Sequence, residues 1–157
     1  MVNFNDINDI TIRTIKEEKE LPYSELTSDI LGCCFEVMKE LGPGFLENVY
    51  KNALLIALRQ KGLQVEVERS FEVVFRGSVI GRYRADLIVE QTVIVELKCC
   101  ENLGEEHQAQ LFNYLKVSQL PIGLLVNFRR GKLEWKRLQS NQECIVDMEV
   151  VEEPVSF

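Results

Sequence analysis

The chain has 157 residues, enough for one domain with a real core and little besides. Its 46% apolar and 27% charged content is ordinary for a globular protein. Apolar runs such as Leu54 to Leu58 and Thr92 to Leu97 are far too short to cross a bilayer, which excludes an integral membrane protein built on helices. The net charge of −7 looks wrong for a partner of nucleic acid until it is mapped. Residues 1–29 hold three basic and seven acidic side chains, residues 139–157 hold five acidic and none basic, and 30–138 hold fifteen basic against thirteen acidic. The acidity sits in the two ends, so the overall charge neither favours nor excludes a polyanionic substrate. It predicts modest, salt-sensitive affinity rather than tight binding.

The first twenty residues are polar, with neither an apolar stretch nor a small-residue cleavage site. A secretory signal is therefore not expected, and a cytoplasmic protein is. Residues 1–23 lack periodicity and are expected to form an N-terminal arm. Ser24 suits an N-cap, Glu25 favours the positive helix end, and Leu26, Ile30, Cys33, Val37 and Leu41 follow a 3.6-residue stripe, so a helix is predicted over 24–41. Gly42-Pro43-Gly44 ends it. A second helix, over 46–61, carries Leu46, Val49, Ala53, Leu54, Ala57 and Leu58, and Gly62 closes it.

The period then changes to two. Leu63, Val65 and Val67 alternate with polar residues, as do Phe71, Val73 and Phe75, and Arg76-Gly77-Ser78 reads as a hairpin turn. A strand from Val79 to Val89, bent at Gly81, follows. Glu90-Gln91 turns the chain into Thr92–Lys98, apolar on both faces like a central strand. A third helix is predicted over 105–118, strands over 122–127 and 132–138, and an acidic tail over 139–157 with an edge strand near Ile145–Val151. The domain proper is thus 24–138, with the order ααβββαββ: an α/β fold with a mixed sheet flanked by helices. The five cysteines form two adjacent pairs, Cys33-Cys34 and Cys99-Cys100, plus Cys144. That is a poor disulfide framework and no zinc ladder, so they read as buried small hydrophobes in a reducing compartment.

The chemistry is concentrated in a few positions. Glu96 and Lys98 are two apart on a strand and so share a face. Charges aimed together from an apolar strand are expensive unless paired or used. Asp86 lies on the preceding strand. A two-residue turn at 90–91 pairs it with residue 95, on the wrong side; a three-residue turn, a five-residue turn or a bulge pairs it with Glu96. In the second case Asp86, Glu96 and the carbonyl of Leu97 offer hard oxygen ligands for Mg²⁺, which takes one or two carboxylates plus water and substrate phosphate. Lys98 would then orient the attacking water. The alternative is a buried acid–lysine ion pair that only fixes the sheet. Glu47 and Tyr50 sit at i, i+3 at the start of the second helix, where an acid also serves as a dipole partner. His107, Gln110 and Tyr114 share one polar face of the third helix, which solvent alone would explain. Arg82 and Arg84, alternate residues leading into Asp86, can hold phosphates.

Together the stretches GPGFLENVY, YRADLIV, VELK, HQAQLFNYLK and PIGLLVNF strongly resemble the GxxExxY proteins, small prokaryotic members of the PD-(D/E)XK nuclease superfamily. The match runs in order and spacing over about residues 24–130. The resemblance implies a restriction-endonuclease-like core with a metal site at one sheet edge. Carried over by position, it makes Asp86 and Glu96 the metal-binding acids, Lys98 the catalytic lysine and Glu47 the helix glutamate completing the metal shell. Gln110 and Tyr114 resemble the Q-x-x-x-Y element of RecB-like nucleases, which supports the site and meets the substrate. The implied activity is Mg²⁺-dependent hydrolysis of nucleic-acid phosphodiesters, DNA ahead of RNA, with Mn²⁺ as a substitute metal and a homodimer as a common state of such relatives. Two positions depart from the pattern: Met38 stands where a histidine is expected, and Arg84-Ala85 precedes Asp86 in place of a proline. The competing reading is a nuclease-fold binding or regulatory module without efficient cleavage.

Overall fold

The computed structural model of the chain describes residues 21–129 and 132–140. The arm expected over 1–23 falls outside this range except for its last three residues, as do Cys144 and the edge strand expected near Ile145–Val151. The chain divides into two compact units, residues 1–32 and 33–157. In the described part of the first, residues 21–23 turn into helix α1 (Ser24–Leu41). Ser24, expected as the cap, is already helical, and the Thr27 hydroxyl donates to the carbonyls of Tyr23 and Ser24.

In the second unit α1 ends where Gly42 enters the left-handed region at φ 71°. Helix α2 (Glu47–Gln60) follows. Its end is a Schellman motif, with Gly62 N–H bonded to Arg59 O and Leu63 N–H to Leu58 O, which needs the positive φ that glycine supplies at 62. Five strands come next: β1 (Val65–Val67), β2 (Ser70–Phe75), β3 (Ser78–Arg84), β4 (Leu87–Val89) and β5 (Val93–Lys98). Helix α3 (Glu105–Ser118), β6 (Ile122–Asn127) and β7 (Glu134–Gln139) complete the order.

The main sheet runs β1-β4-β5-β6-β7, with β5 and β6 parallel and the other neighbours antiparallel. The expected mixed sheet flanked by helices is thus present. Five strands precede α3, more than expected, because the stretches at 65–67 and 70–75 are separate strands and one long strand breaks in two. The expected strand Val79–Val89 breaks at Ala85-Asp86, not at Gly81. There the ladder leaves the five-stranded sheet, while single bonds from Ala85 N–H to Arg69 O and from Glu68 N–H to Asp86 O keep it continuous. Beyond that point β2 and β3 form a separate two-stranded ribbon. The irregularity near Gly81 is a bulge that leaves Ile80 unpaired between Val73↔Gly81 and Val74↔Val79.

Every residue of β6 is buried, as are Val93 to Leu97 of β5, as central strands covered on both faces require. One core cluster joins Ile88, Ile94 and Leu125 of the sheet to Leu111 and Leu115 of α3. The helix can lie so close because Gly123 has no side chain: a Cβ there would fall 2.9 Å from Leu111 Cγ. Cys33 and Cys34 are buried thiols, whereas Cys99 and Cys100 are only half-buried in the loop after β5.

Candidate active site

The turn between β4 and β5 decides what faces what. Val89 pairs with Val93, so the loop has three residues, 90–92, and Glu90 and Gln91 both take positive φ. Leu87 therefore pairs with Val95, and one step further Asp86 lies opposite Glu96. Two bonds lock the arrangement. The backbone N–H of Asp86 donates to Glu96 Oε1 at 3.3 Å, and the N–H of Leu97 donates to Asp86 Oδ2 at 2.9 Å. In an extended strand a residue's N–H and C=O leave from the same side. Lys98 O is engaged by Phe128 N–H on the β6 side, so the Leu97 carbonyl points the other way, toward Asp86.

Glu96 is 7% exposed. Burial first, and then the Asp86 carboxylate, push its carboxyl well above the ordinary range; the Asp86 N–H and Lys98 only partly offset this. Glu47 reaches the same place from the first turn of α2. Desolvation and Asp86 raise its carboxyl, while Lys98, Lys51 and the Cys99 N–H pull it down. Asp86, Glu96, Lys98 and Glu47 thus lie within electrostatic reach of one another.

Tyr50 sets the position of Glu47. Its buried hydroxyl donates to Gly42 O at 2.6 Å and accepts from Phe45 N–H at 3.2 Å, and its ring stacks on Phe128 at 4.9 Å. The Gly42–Phe45 loop is tied to the core in this way, one residue before α2 begins. On the third helix, Tyr114 lies flat against Tyr83 at 3.7 Å, and Phe71 continues the stack at 5.0 Å. Burial raises the Tyr114 hydroxyl, with Glu96 and Asp86 adding to the effect and a hydrogen bond with Gln110 opposing it. Gln110 and Tyr114 therefore stand beside the acids. His107 does not belong with them: its Nδ1 accepts from Gly104 N–H at 3.1 Å and closes the start of α3. Arg82 and Arg84 are exposed and paired with Glu72 at 3.0 Å and Glu68 at 3.7 Å.

Lys51 was not singled out in the sequence. It is buried one turn beyond Glu47 and bound to Glu68 Oε1 at 2.9 Å. The i, i+4 spacing from Glu47 was the only available signal, and Glu68 lies seventeen residues away.

Among the described residues no three His, Cys, Asp or Glu side chains converge closely enough to hold a metal by themselves. Glu47 is a neighbour of the acid pair, close enough to feel both Asp86 and Lys98. The pair still suits a hard cation. Two carboxylates and a backbone carbonyl share one edge, and the acids repel each other with only partial relief from Lys98. Mg²⁺ needs no more protein oxygen than that when water and phosphate complete its shell.

A family model for the PD-(D/E)XK nuclease superfamily matches residues 24–138. The chain belongs to that superfamily. Among solved structures, it is similar to the crystal structure of SSO0001, with 22% identity and a TM-score of 0.46 over 59% of this chain and 50% of that one. The chain therefore spans half the length of that protein, and a likeness at this level carries neither fold nor function. No curated protein matches the chain. The superfamily is one of nucleases, enzymes that cut nucleic acid. Among the described residues no helix is long and apolar enough to cross a membrane.

Proposed function

We propose that the chain is a cytoplasmic Mg²⁺-dependent nuclease that hydrolyses phosphodiester bonds, preferring DNA to RNA. The carrying observation is the acid pair: Asp86 and Glu96 are held face to face by backbone bonds, with Glu96 buried and its charged form unfavourable. A fold seldom keeps such repulsion without a use, and a bound cation relieves it.

Asp86, Glu96 and the Leu97 carbonyl would hold the metal, with Glu47 completing the shell through water. The cation would polarise the phosphate and acidify a water. Lys98 orients that water and offsets charge developing on the phosphoryl oxygens. Tyr114 and Gln110 line the approach, and Arg82 and Arg84 hold flanking phosphates once their weak exposed ion pairs are exchanged.

Incubation with plasmid and Mg²⁺ or Mn²⁺ should give cleavage that EDTA abolishes. Lys98→Ala should lower the rate about 10²–10³-fold while leaving Mn²⁺ binding in place. Asp86→Asn should remove both. Retention of nucleic acid without cleavage, unchanged by Asp86→Asn, would instead identify a binding module.

A further inference from the structure

The nuclease reading uses Arg82 and Arg84 near the foot of the β2–β3 ribbon and leaves its outer half unexplained. From its foot at Arg69 and Ala85 the ribbon extends six residues to the turn at Arg76-Gly77, about 20 Å at the rise of an extended strand. Phe75 pairs with Ser78, and Arg76 and Gly77 both have positive φ, so the tip is a tight two-residue turn. Only the lower half is packed, through Phe71 and Tyr83 against Tyr114. Every residue from Val74 to Ile80 is exposed, and Val74, Phe75, Val79 and Ile80 are each at least half exposed.

The charge of this segment contradicts that of the chain. Residues 69–84 hold four arginines and one glutamate within a protein of net −7. Arg76, at the tip, makes no ion pair among the described residues; its guanidinium lies over the Phe75 ring at 4.9 Å. A basic, apolar-tipped ribbon complements one kind of surface: phosphates flanking a groove whose floor offers apolar contacts.

The geometry points to the β2–β3 ribbon as a DNA-groove element that enters the major groove of duplex DNA beside the phosphate held at Asp86. This inference rests on the nuclease reading for the position of that phosphate. The B-form major groove, about 12 Å wide, admits a two-stranded ribbon and presents thymine methyls to apolar side chains. The A-form major groove of RNA is too narrow to do so, which ties the ribbon to DNA. The ribbon also runs directly into Asp86. Arg84 is two residues before it, and the Glu68–Asp86 backbone bond joins ribbon foot to site, so a seated ribbon fixes where the backbone meets the acids.

The test is fluorescence anisotropy of the full chain with a labelled duplex of about two helical turns, in EDTA so that binding is read apart from cleavage. Arg76→Ala should lower affinity several-fold at low salt and reduce the slope of log K against log salt by about 0.9, one phosphate contact. Phe75→Ser with Ile80→Ser should weaken binding and leave the slope unchanged, because no charge is lost. Both variants should keep the parent's thermal midpoint and its binding to duplex RNA. Parental DNA affinity in both variants would overturn the ribbon inference, and cleavage by the parent chain would then still stand. Dissociation of a dimer by the Phe75/Ile80 double variant, with DNA affinity unchanged, would also overturn it and mark a protein interface. Loss of DNA affinity in a chain that never cleaves would keep the ribbon inference and remove the nuclease reading.

Discussion

At the scale of single residues, Glu96 concentrates the energetics of the site. Its folded carboxyl binds a proton more tightly than the unfolded chain does, because burial and Asp86 both disfavour the charge. Stability from this residue is therefore complete below the ordinary glutamate range and is lost as pH rises above it, in the absence of metal. At neutral pH the metal-free chain therefore bears the cost of this raised carboxyl. Glu96→Gln removes it and places an amide donor beside Asp86. The metal-free variant should unfold at higher temperature, by on the order of 1 kcal/mol at neutral pH, with the difference shrinking toward pH 4. Adding Mn²⁺ should stabilise the parent chain and not the variant. A variant no more stable than its parent at pH 7 would mean that the acid pair is already compensated. The face shared by Glu96 and Lys98 was legible from strand alternation alone. Whether Asp86 joined them was not, because it hinged on turn length. The turn that settles it places two non-glycine residues, Glu90 and Gln91, at positive φ, and no residue type there announces the third position. The hold that Tyr50 has on Gly42 and Phe45 was equally hidden, since the motif spacing locates the tyrosine and not its partners.

At the scale of elements, the site depends on how α3 sits on the sheet. Leu111 is buried against Gly123, and Tyr114 lies one turn further along the same helix. Gly123→Ala would set a methyl 2.9–3.0 Å from the Leu111 branch point and both its methyls. Either Leu111 leaves its rotamer or the helix moves outward. We expect a loss of about 1–3 kcal/mol in urea unfolding. Cleavage should fall by more than the folded fraction explains, because Tyr114 moves away from Tyr83 and the acids. Unchanged stability would show that α3 adapts freely. The helices themselves were readable because their apolar stripes and stop signals agree: α1 and α3 occupy the predicted residues, and α2 is shorter by one residue at each end. The strands were less so. Period two runs unbroken from Arg82 to Leu87, yet the chain changes sheets at Ala85-Asp86 within that run, where the break follows from which neighbour is available for pairing and not from local composition.

At the scale of the whole molecule, the question is how an acidic chain approaches a polyanion. On the nuclease reading a bound cation offsets the acids of the site, and residues 69–84 are basic, so the acidic excess lies mainly at the termini. Residues 141–157 hold five acids and no base. Repulsion between exposed charges is screened beyond about 10 Å at 0.1 M salt. Replacing Glu143, Asp147, Glu149, Glu152 and Glu153 by their amides shifts the formal charge from −7 to −2 without shortening the chain. Association with duplex DNA should then quicken several-fold at low ionic strength, mainly in the on-rate, because steering acts on encounter. The gain should vanish by about 0.5 M salt, where the screening length falls toward the size of a contact. Dissociation should change little, since long-range charge acts mainly on encounter. Stopped-flow binding at two salt concentrations separates these rates. An equal gain at both salts would mean that the tail competes by direct contact; no gain at either would mean that the ribbon and the metal site already dominate the field the DNA meets.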